Sequence, residues 1–249
     1  MSYEDFYEDA NDLATYTING LGRDDDTGAP GPINWVGDAD NEYIFGGDWH
    51  DELEGGAGND LMYGFEGDDT ILGGMGVDRL FGDGGNDTIF VGDSVIVDLP
   101  YGENGFTHTT TASANSSNGD FASGGSGNDI LVGGETAEIM FGGPGHDYLF
   151  GFGGDDELHG GDGDDTILVV EGNNEMSGGA GNDTIRALCP SEANCNNDIE
   201  GNEGDDWLRG DHGNDDIIGG EGDDDLNGRG GSDEVFGGLG DDIVKGGGT

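Results

Sequence analysis

The sequence predicts an all-β solenoid in which short parallel strands stack in coils of two nine-residue units. The nine-residue period is visible in GGDWHDELE, GGAGNDLMY, GFEGDDTIL and GGMGVDRLF, which follow one another from residue 46 to residue 81. Nineteen such units share one pattern: the eighth place is apolar in all of them, while the sixth is Asp and the fourth is Gly in fifteen each. Repetition at a fixed period is typical of stacked repeat architectures, so it decides the fold class before any strand is assigned.

Residues 1–36 carry no repeat but contain several aromatic residues, among them Tyr3, Phe6 and Trp35. A solenoid exposes its core at an open end. We expect this segment to fold as a cap over that end; a disordered acidic leader is the alternative.

The repeats fall into three blocks separated by two interruptions. Residues 37–90 hold six units, residues 124–186 hold seven, and residues 192–249 hold six and then stop inside a further unit. That last feature leads us to expect a piece of a longer protein. The interruption 91–123 opens with VGDSVIVDL, which alternates like a strand, and we expect it to leave the solenoid and rejoin it. The shorter interruption, 187–191, reads ALCPS.

Places seven to nine of each unit predict a very short strand with its eighth residue pointing inward, because neighbours in a strand face opposite sides. One apolar residue per strand makes no core alone. Two units per coil place two such strands face to face, and coils about 4.8 Å apart align the eighth places into one thin continuous core.

The sixth and fourth places predict an oxygen cage for a metal ion. Glycine-rich turns aim backbone carbonyls inward, and the sixth place adds a side-chain oxygen even where it is Glu42, Glu138, Asn174 or Asn197. Calcium takes about 6 to 8 oxygen ligands, whereas magnesium prefers a smaller, water-rich octahedron and zinc prefers thiolate or imidazole. The expected calcium-binding residues are the side chains of Asp51, Asp60, Asp69, Asp78, Asp87, Asp129, Asp147, Asp156, Asp165, Asp183, Asp206, Asp215, Asp224, Asp233 and Asp242, and the backbone at Gly58, Gly67, Gly76, Gly127, Gly145, Gly163, Gly222 and Gly240.

The units resemble the nonapeptide repeats of RTX proteins, GGxGxDx followed by a bulky apolar residue and any residue, over about two thirds of the chain. The resemblance implies a right-handed parallel β-roll that folds when calcium fills its turns, in proteins exported by type I secretion. RTX rolls generally lack cysteine, so the pair Cys189 and Cys195 favours a small disulfide loop formed in an oxidising medium; two unpaired thiols are the alternative.

The charge balance agrees with a metal-dependent fold. The chain has 6 Lys and Arg against 56 Asp and Glu, a formal net charge of −50. A compact metal-free state repels itself, so we expect disorder without cations. The charge excludes nucleic-acid partners, which need Lys and Arg, and no stretch is apolar over the length of a membrane span. We expect a secreted, extracellular or cell-surface protein.

The sequence offers no catalytic group. The motifs HExxH and GxSxG are absent, and the five histidines are scattered without a shared partner. Two functional classes remain. One is a non-catalytic calcium-binding module with a structural, adhesive or surface-assembly role. The other is the repeat domain of a secreted hydrolase or toxin whose active domain lies outside this chain.

The ninth places predict apolar stripes on the outer surface. They read Phe45, Tyr63 and Phe81 in the first block and Val132, Phe150 and Leu168 in the second. Large apolar patches mark contacts, so we expect cover by residues 1–36, by residues 91–123, by another copy of the chain or by a neighbouring domain. Strand propensity of aromatic residues is the alternative explanation.

The calcium sites are expected to differ. In the second block, the two units without a sixth-place Asp are the second and sixth, so they fall on the same side of the roll. We expect full occupancy on the side that runs from Asp129 to Asp183, and fewer or poorer ions around Glu138, Asp156 and Asn174.

Overall fold

The computed structural model of the chain describes residues 16–19, 31–91, 119–189 and 195–247. In these residues the only regular elements are strands, which lie in two parallel sheets of eleven strands each. Successive strands alternate between the sheets and form a β-solenoid of about 10 turns. The predicted parallel β-roll is therefore confirmed.

The first sheet holds the odd-numbered strands: β1 (Tyr16–Asn19), β3 (Asn41–Gly47), β5 (Leu61–Glu66), β7 (Arg79–Gly84), β9 (Asp120–Ser126), β11 (Glu138–Pro144), β13 (Glu157–Asp162), β15 (Glu175–Ala180), β17 (Asp198–Glu203), β19 (Asp216–Glu221) and β21 (Glu234–Leu239). The second sheet holds the even-numbered strands: β2 (Asn34–Val36), β4 (Glu52–Ala57), β6 (Thr70–Met75), β8 (Thr88–Phe90), β10 (Ile130–Val132), β12 (Tyr148–Phe152), β14 (Thr166–Val169), β16 (Thr184–Ala187), β18 (Trp207–Arg209), β20 (Asp225–Asn227) and β22 (Ile243–Lys245).

The pairing register is set by the repeat. Met62 pairs with Ile44 in the preceding coil and with Leu80 in the following one, each eighteen positions away. Two units therefore make one coil. The strands cover places seven to nine, and most first-sheet strands continue into the first places of the next unit.

The eighth-place side chains form the core. Each of them is at most 1% exposed from Ile44 to Leu226, and burial of one such side chain stabilises a fold by about 1.5–3 kcal/mol. In the last coil the core opens, because Val244 is 46% exposed. The core eighth places are Ile44, Leu53, Met62, Ile71, Leu80, Ile89, Ala122, Leu131, Met140, Leu149, Leu158, Ile167, Met176, Ile185, Ile199, Leu208, Ile217 and Leu226.

Fourth-place glycine allows the coils to stack closely. Gly76 has a φ of 136°, a conformation that residues with a side chain rarely adopt. A Cβ on Gly76 would also collide with the carbonyl oxygen of Gly58 in the preceding coil. Both the turn conformation and the spacing of the coils therefore depend on the missing side chain.

The roll crosses the first interruption without losing register. Arg79 in β7 pairs with Phe121 in β9, 42 positions later instead of 18, so 24 extra residues are accommodated (42 − 18). Strand β9 begins at Asp120, and Val91 is fully buried in the core. Both ends of the segment 91–123 therefore belong to the roll, which resumes four residues before the boundary that the Gly124-Gly125 pair suggested. The residues 92–118 lie outside the described part of the chain.

The second interruption adds five residues in the same way. Glu175 pairs with Asp198, 23 positions later instead of 18. Cys189 and Cys195 form a disulfide across this interruption. Both interruptions lie in turns that lead from the second sheet back to the first.

The solenoid starts before the first recognised unit. Asn34–Val36 pair with the start of β4, and Trp35 packs partly buried against the core. Tyr16–Asn19 pair with β3. Both described strands of the segment 1–36 thus belong to the roll, while residues 1–15 and 20–30 of the expected cap or leader lie outside the described residues.

Candidate metal centre

The sixth-place side chains form two rows along the roll, one on each edge between the sheets. In each row, the Oδ1 atom of one residue accepts the backbone N–H of the sixth-place residue one coil earlier, as Asp78 accepts from Asp60 at 2.9 Å. One row, called here the aspartate row, consists of Asp51, Asp69, Asp87, Asp129, Asp147, Asp165, Asp183, Asp206, Asp224 and Asp242. The other, called the mixed row, consists of Glu42, Asp60, Asp78, Asp120, Glu138, Asp156, Asn174, Asn197, Asp215 and Asp233.

The second carboxylate oxygen of most of these residues is buried without a protein partner. Burying a carboxylate oxygen that accepts no hydrogen bond is costly, so each of these atoms calls for a cation or a proton. Within the described residues, the buried oxygens without a hydrogen-bond partner include Oε2 of Glu42 and Oδ2 of Asp60, Asp69, Asp87, Asp129, Asp147, Asp156, Asp165, Asp183, Asp206, Asp224 and Asp233.

Backbone carbonyls converge on the same spaces. A Cβ on first-place Gly160 would collide with Oδ2 of Asp165 and lie 2.6 Å from the carbonyl oxygen of Gly178 in the next coil. A carboxylate oxygen and a carbonyl oxygen thus face one point, which stays accessible because Gly160 has no side chain. Mixed carboxylate and carbonyl oxygens are the ligands that calcium takes.

The side chains alone make no metal site. In the described ranges, no group of three or more His, Cys, Asp or Glu side chains is arranged to hold a metal. An ion in these turns therefore needs backbone carbonyls in addition to the sixth-place oxygens. This donor set suits calcium and does not suit zinc.

The second place of each unit separates two kinds of turn. In most units its φ is positive, and five residues other than Gly in the described ranges adopt this conformation with φ between 61° and 82°: Phe65, Asp83, Phe152, Asn202 and Arg229. Such turns, called open turns here, include those of Asp69, Asp87, Asp156, Asp206 and Asp233, whose Oδ2 atoms are buried without a partner among the described residues.

Among the described turns, three are instead self-bonded, because the second-place N–H donates to the sixth-place carboxylate of the same unit. The donor–acceptor distances are 2.7 Å from Gly47 to Asp51, 3.1 Å from Gly134 to Glu138 and 3.3 Å from Asp211 to Asp215. Two of the expected calcium ligands, Asp51 and Asp215, thus lie in turns that satisfy their own carboxylates.

Burial raises the pKa of the row carboxyl groups. The pKa of Asp87 and Asp129 rises to about 7, mainly because the charged form is desolvated and secondarily because neighbouring carboxylates repel it. The same causes raise the pKa of Asp165 and Asp183 to about 7. Burial and mutual repulsion also raise the pKa of Asp156, which faces Glu138. Without a cation, these groups hold protons at pH values where ordinary aspartates have lost them.

The expected backbone residues lie where the fourth place requires glycine. Gly58, Gly67, Gly76, Gly127, Gly163, Gly222 and Gly240 have φ values between 127° and 143°. Gly145 is not among the residues with positive φ, but a Cβ there would collide with the carbonyl oxygen of Gly127.

Asp120 is a row residue that the sequence pattern missed. Its side chain is 1% exposed, and its Oδ1 accepts the backbone N–H of Asp78 at 2.9 Å. The segment GDFAS before Gly124 keeps the spacing from a sixth-place Asp to an eighth-place apolar residue, Ala122. That spacing could have identified Asp120 as a sixth-place residue. It was overlooked because the unit lacks the fourth-place glycine.

The fifth place forms a second ladder that the sequence analysis did not recognise. Its side chains accept the backbone N–H of the fifth-place residue one coil later, as Asn59 accepts from Val77 at 3.0 Å. His146 occupies this place, and its Nδ1 accepts the N–H of Asp164 at 2.7 Å. The ladder is exposed, so it orders the turns without facing the buried oxygens.

A model of the RTX calcium-binding nonapeptide repeat, built of four repeat copies, matches most of the chain. The matched residues are 36–71, 45–80, 63–93, 116–149, 132–167, 168–187, 196–226 and 218–248. The chain belongs to the RTX calcium-binding nonapeptide repeat family. A comparison with curated proteins finds no match.

The RTX matches and the structure agree on where the repeats pause. The gap 94–115 falls inside the first interruption, the gap 188–195 covers most of the second and the start of the third block, and the match that resumes at residue 116 includes Asp120. Among the residues described, the RTX roll has no helix that is both long and apolar enough to cross a membrane.

The outer surface of the RTX roll carries aromatic residues in register. On the first sheet, Tyr63 stacks on Phe81 with ring centroids 4.6 Å apart and on Phe45 at 5.8 Å. This aromatic stripe continues through Phe121 and Phe141 to His159. Phe45, Tyr63 and Phe81 are half-buried.

The other expected stripe lies on the second sheet. Val132, Phe150 and Leu168 pair in consecutive strands, and they face the opposite side of the roll from Tyr63. Val132 and Phe150 are only 4% and 8% exposed. The two ninth-place sets are thus separate surfaces.

We expect calcium to fill the RTX roll unequally. In the aspartate row, Asp129, Asp147, Asp165 and Asp183 follow one another without a break and should be fully occupied. The mixed row should hold fewer or poorer ions around Glu138, Asp156 and Asn174. Anomalous scattering from calcium-loaded crystals measures both rows in one molecule. Equal occupancy and equal coordination on the two edges would contradict this expectation.

Calcium binding should release protons and weaken as the pH falls through about 7 to 6. The raised pKa values of Asp87 and Asp129 mean that the metal-free fold holds protons that calcium must displace. Since these folded-state values exceed the unfolded ones, protonation stabilises the metal-free fold at low pH and this contribution is lost as the pH rises through about 7. Titration calorimetry in buffers of different ionisation enthalpy measures the released protons. Affinity that is independent of pH between about 5 and 8 would argue against buried, protonated row carboxyls.

Proposed function

We propose that this chain is a structural module that folds on binding calcium outside the cell and there serves as an adhesive or surface-assembly element. The observation that carries the proposal is the pair of rows in which buried carboxylate oxygens lack protein partners. These oxygens are arranged for cations, and no other feature of the described residues uses them.

Calcium in this role supplies folding energy. The formal charge of −50 opposes compaction, and the core receives only one eighth-place side chain per strand. Each bound ion adds two positive charges beside buried carboxylates and links neighbouring coils. Since the site does not exist in the unfolded chain, the free energy of binding becomes free energy of folding.

The proposed extracellular location follows from the calcium concentration that such a module needs. Extracellular calcium modules work with dissociation constants of about 10⁻⁴ to 10⁻³ M, a concentration range met outside cells. A chain that stays unfolded at low calcium and folds at high calcium is suited to export before folding. The disulfide between Cys189 and Cys195 also suits an oxidising compartment.

We propose a non-catalytic role because the rows engage the acidic groups in ladder bonds and cation binding. His50 and His146 each directly precede a row aspartate, and the Nδ1 atom of each accepts a backbone N–H. A repeat domain of a secreted hydrolase or toxin is the alternative, and it assigns the same calcium-dependent role to these residues.

The aromatic stripe is proposed as the contact surface of the module. Phe45, Tyr63 and Phe81 lie in register over three coils, Phe121 and Phe141 continue the ring contacts, and the guanidinium carbon of Arg79 lies 5.9 Å from the ring centroid of Phe121. Residues 1–36, residues 91–123, another copy or a neighbouring domain are the candidates for its cover.

Removal of calcium should abolish the ordered β structure, and its return should restore it. Far-ultraviolet circular dichroism before and after addition of a chelator measures the change. Magnesium or zinc at the same concentration should restore much less, because neither fits a carbonyl-rich oxygen cage. A spectrum that the chelator leaves unchanged would refute the proposal.

Replacement of Tyr63 by Ser should destabilise the calcium-loaded roll by at least about 1 kcal/mol, because it removes stacking on both neighbouring rings. If the stripe is a contact surface, the same variant should also associate less in sedimentation experiments. Tyr148→Ser is the matched control, because Tyr148 lies on the second sheet and is 49% exposed. Unchanged stability and association in Tyr63→Ser would show that the stripe is not an interface.

A further inference from the structure

Three consecutive turns of the mixed row are filled by their own hydrogen bonds. Asn174 donates from Nδ2 to the carbonyl oxygen of Glu171 at 3.2 Å and to Oδ1 of Asn197 at 3.1 Å. Asn197 donates from Nδ2 to Oδ1 of Asp215 at 3.0 Å. Oδ2 of Asp215 accepts the N–H of Asp211. In Asn174 and Asn197, Oδ1 accepts the ladder N–H, so Nδ2 takes the place of the Oδ2 that faces a cation in open turns and puts a hydrogen-bond donor there.

The last residues of β14 and β16 lead into the two Asn turns and differ from those of open turns. Val169 is the first place of the Asn174 unit, and Ala187, which opens the interruption before the Asn197 unit, pairs with it; each is 1% exposed where open turns have glycine. In an open turn, a Cβ at the first place would collide with Oδ2 of the sixth-place Asp, as at Gly178 and Asp183. The buried side chains of Val169 and Ala187 therefore occupy space that a calcium-binding turn keeps clear.

A disulfide bond lies beside the turn that contains Asn197. Cys195 is the fourth-place residue of the unit that contains Asn197, and it is joined to Cys189, which follows β16. The disulfide spans the interruption between these units, where five extra residues would otherwise loosen the turn. Constraint of a short loop lowers the entropy of the unfolded chain.

The opposite edge of these coils is open. Asp165, Asp183, Asp206 and Asp224 of the aspartate row each have a buried Oδ2 without a partner in the described part of the chain. These coils are therefore closed on one edge by the protein itself and on the other edge only by calcium.

We propose that the turns of Asn174, Asn197 and Asp215 bind no calcium and, with the Cys189–Cys195 disulfide, form a pre-closed clasp from which calcium-dependent folding spreads. The inference rests on the proposed calcium-dependent folding, and it names the coils at which that folding begins. A coil with one closed edge carries fewer buried like charges and needs fewer ions to form. Its formed strands then present the N–H and Oδ1 groups on which the next coil builds its ladder.

The test compares two charge-matched variants of the full chain in calcium titrations followed by circular dichroism. Asn174→Asp with Asn197→Asp removes the amide donors and adds two buried carboxylates, so the clasp then needs calcium. We expect its folding midpoint to lie severalfold higher in calcium than that of the wild type. Asn196→Asp with Asn214→Asp is the control, because these exposed fifth-place residues accept backbone N–H groups through Oδ1, which Asp retains, and its midpoint should be unchanged.

The opposite sign overturns the proposal. If the Asn turns bind calcium in the wild type, Asp is the stronger ligand and Asn174→Asp with Asn197→Asp should fold at lower calcium. An unchanged midpoint also overturns it. A wild type that does not fold with calcium would instead refute the proposed function itself, so the two failures are distinguishable.

If Asn174→Asp with Asn197→Asp does not fold at all, hydrogen exchange of the wild-type protein still tests the proposal. At calcium just below the midpoint, amides of β15 and β17 should be protected before those of β3 and β5. A reductant should delay this protection, and it should have no effect on Cys189→Ser with Cys195→Ser. Protection that begins in β3 and β5 contradicts the clasp.

Discussion

The sixth-place carboxylate has two oxygens with different tasks, and the rest of the roll depends on that division. Oδ1 is bonded to the backbone N–H of the preceding coil, which fixes the vertical spacing. Oδ2 is turned into the space beside first-place glycine. Stacking these groups in two rows brings like charges together in a poorly hydrated place, where only protons or cations remove the repulsion. Fold and metal response therefore come from the same atoms.

Much of this arrangement could be predicted because the repeat carries the register. A single period fixed the coil, the inward eighth place and the shared side of the sixth places that lie eighteen positions apart, and stacked pairs such as Ile44 and Met62 confirm the coil. The interruptions were harder, since Asp120 lacks the glycine pattern that marks other units. In the first half-coil, Trp35 takes the core place although Ile33 stands where the oxygen donor is expected.

The kind of turn could not be predicted from residue type. Gly47 and Gly56 are both second-place glycines, yet Gly56 has a φ of 95° whereas Gly47 donates its N–H to Asp51. The direction of one peptide group decides whether the carboxylate is satisfied by its own turn. That direction depends on packing between coils, and glycine permits both outcomes. Conversely, Phe65 adopts positive φ without being glycine, which shows that the turn imposes its conformation on the residue.

The two edges of the roll also differ in what they tolerate. Each break in the repeat opens a turn that runs from the second sheet to the first, so both inserts leave and rejoin the roll at the mixed-row edge. The aspartate row forms an unbroken spine from Asp51 to Asp242 along the other edge. An insert of 24 residues and one of five leave the strands beyond them equally well paired. The edge with the aspartate row is thus continuous, while the mixed-row edge accepts insertions. Foreign loops grafted beside Val91 or Ala187 would therefore be presented on a scaffold that is held together along its opposite edge.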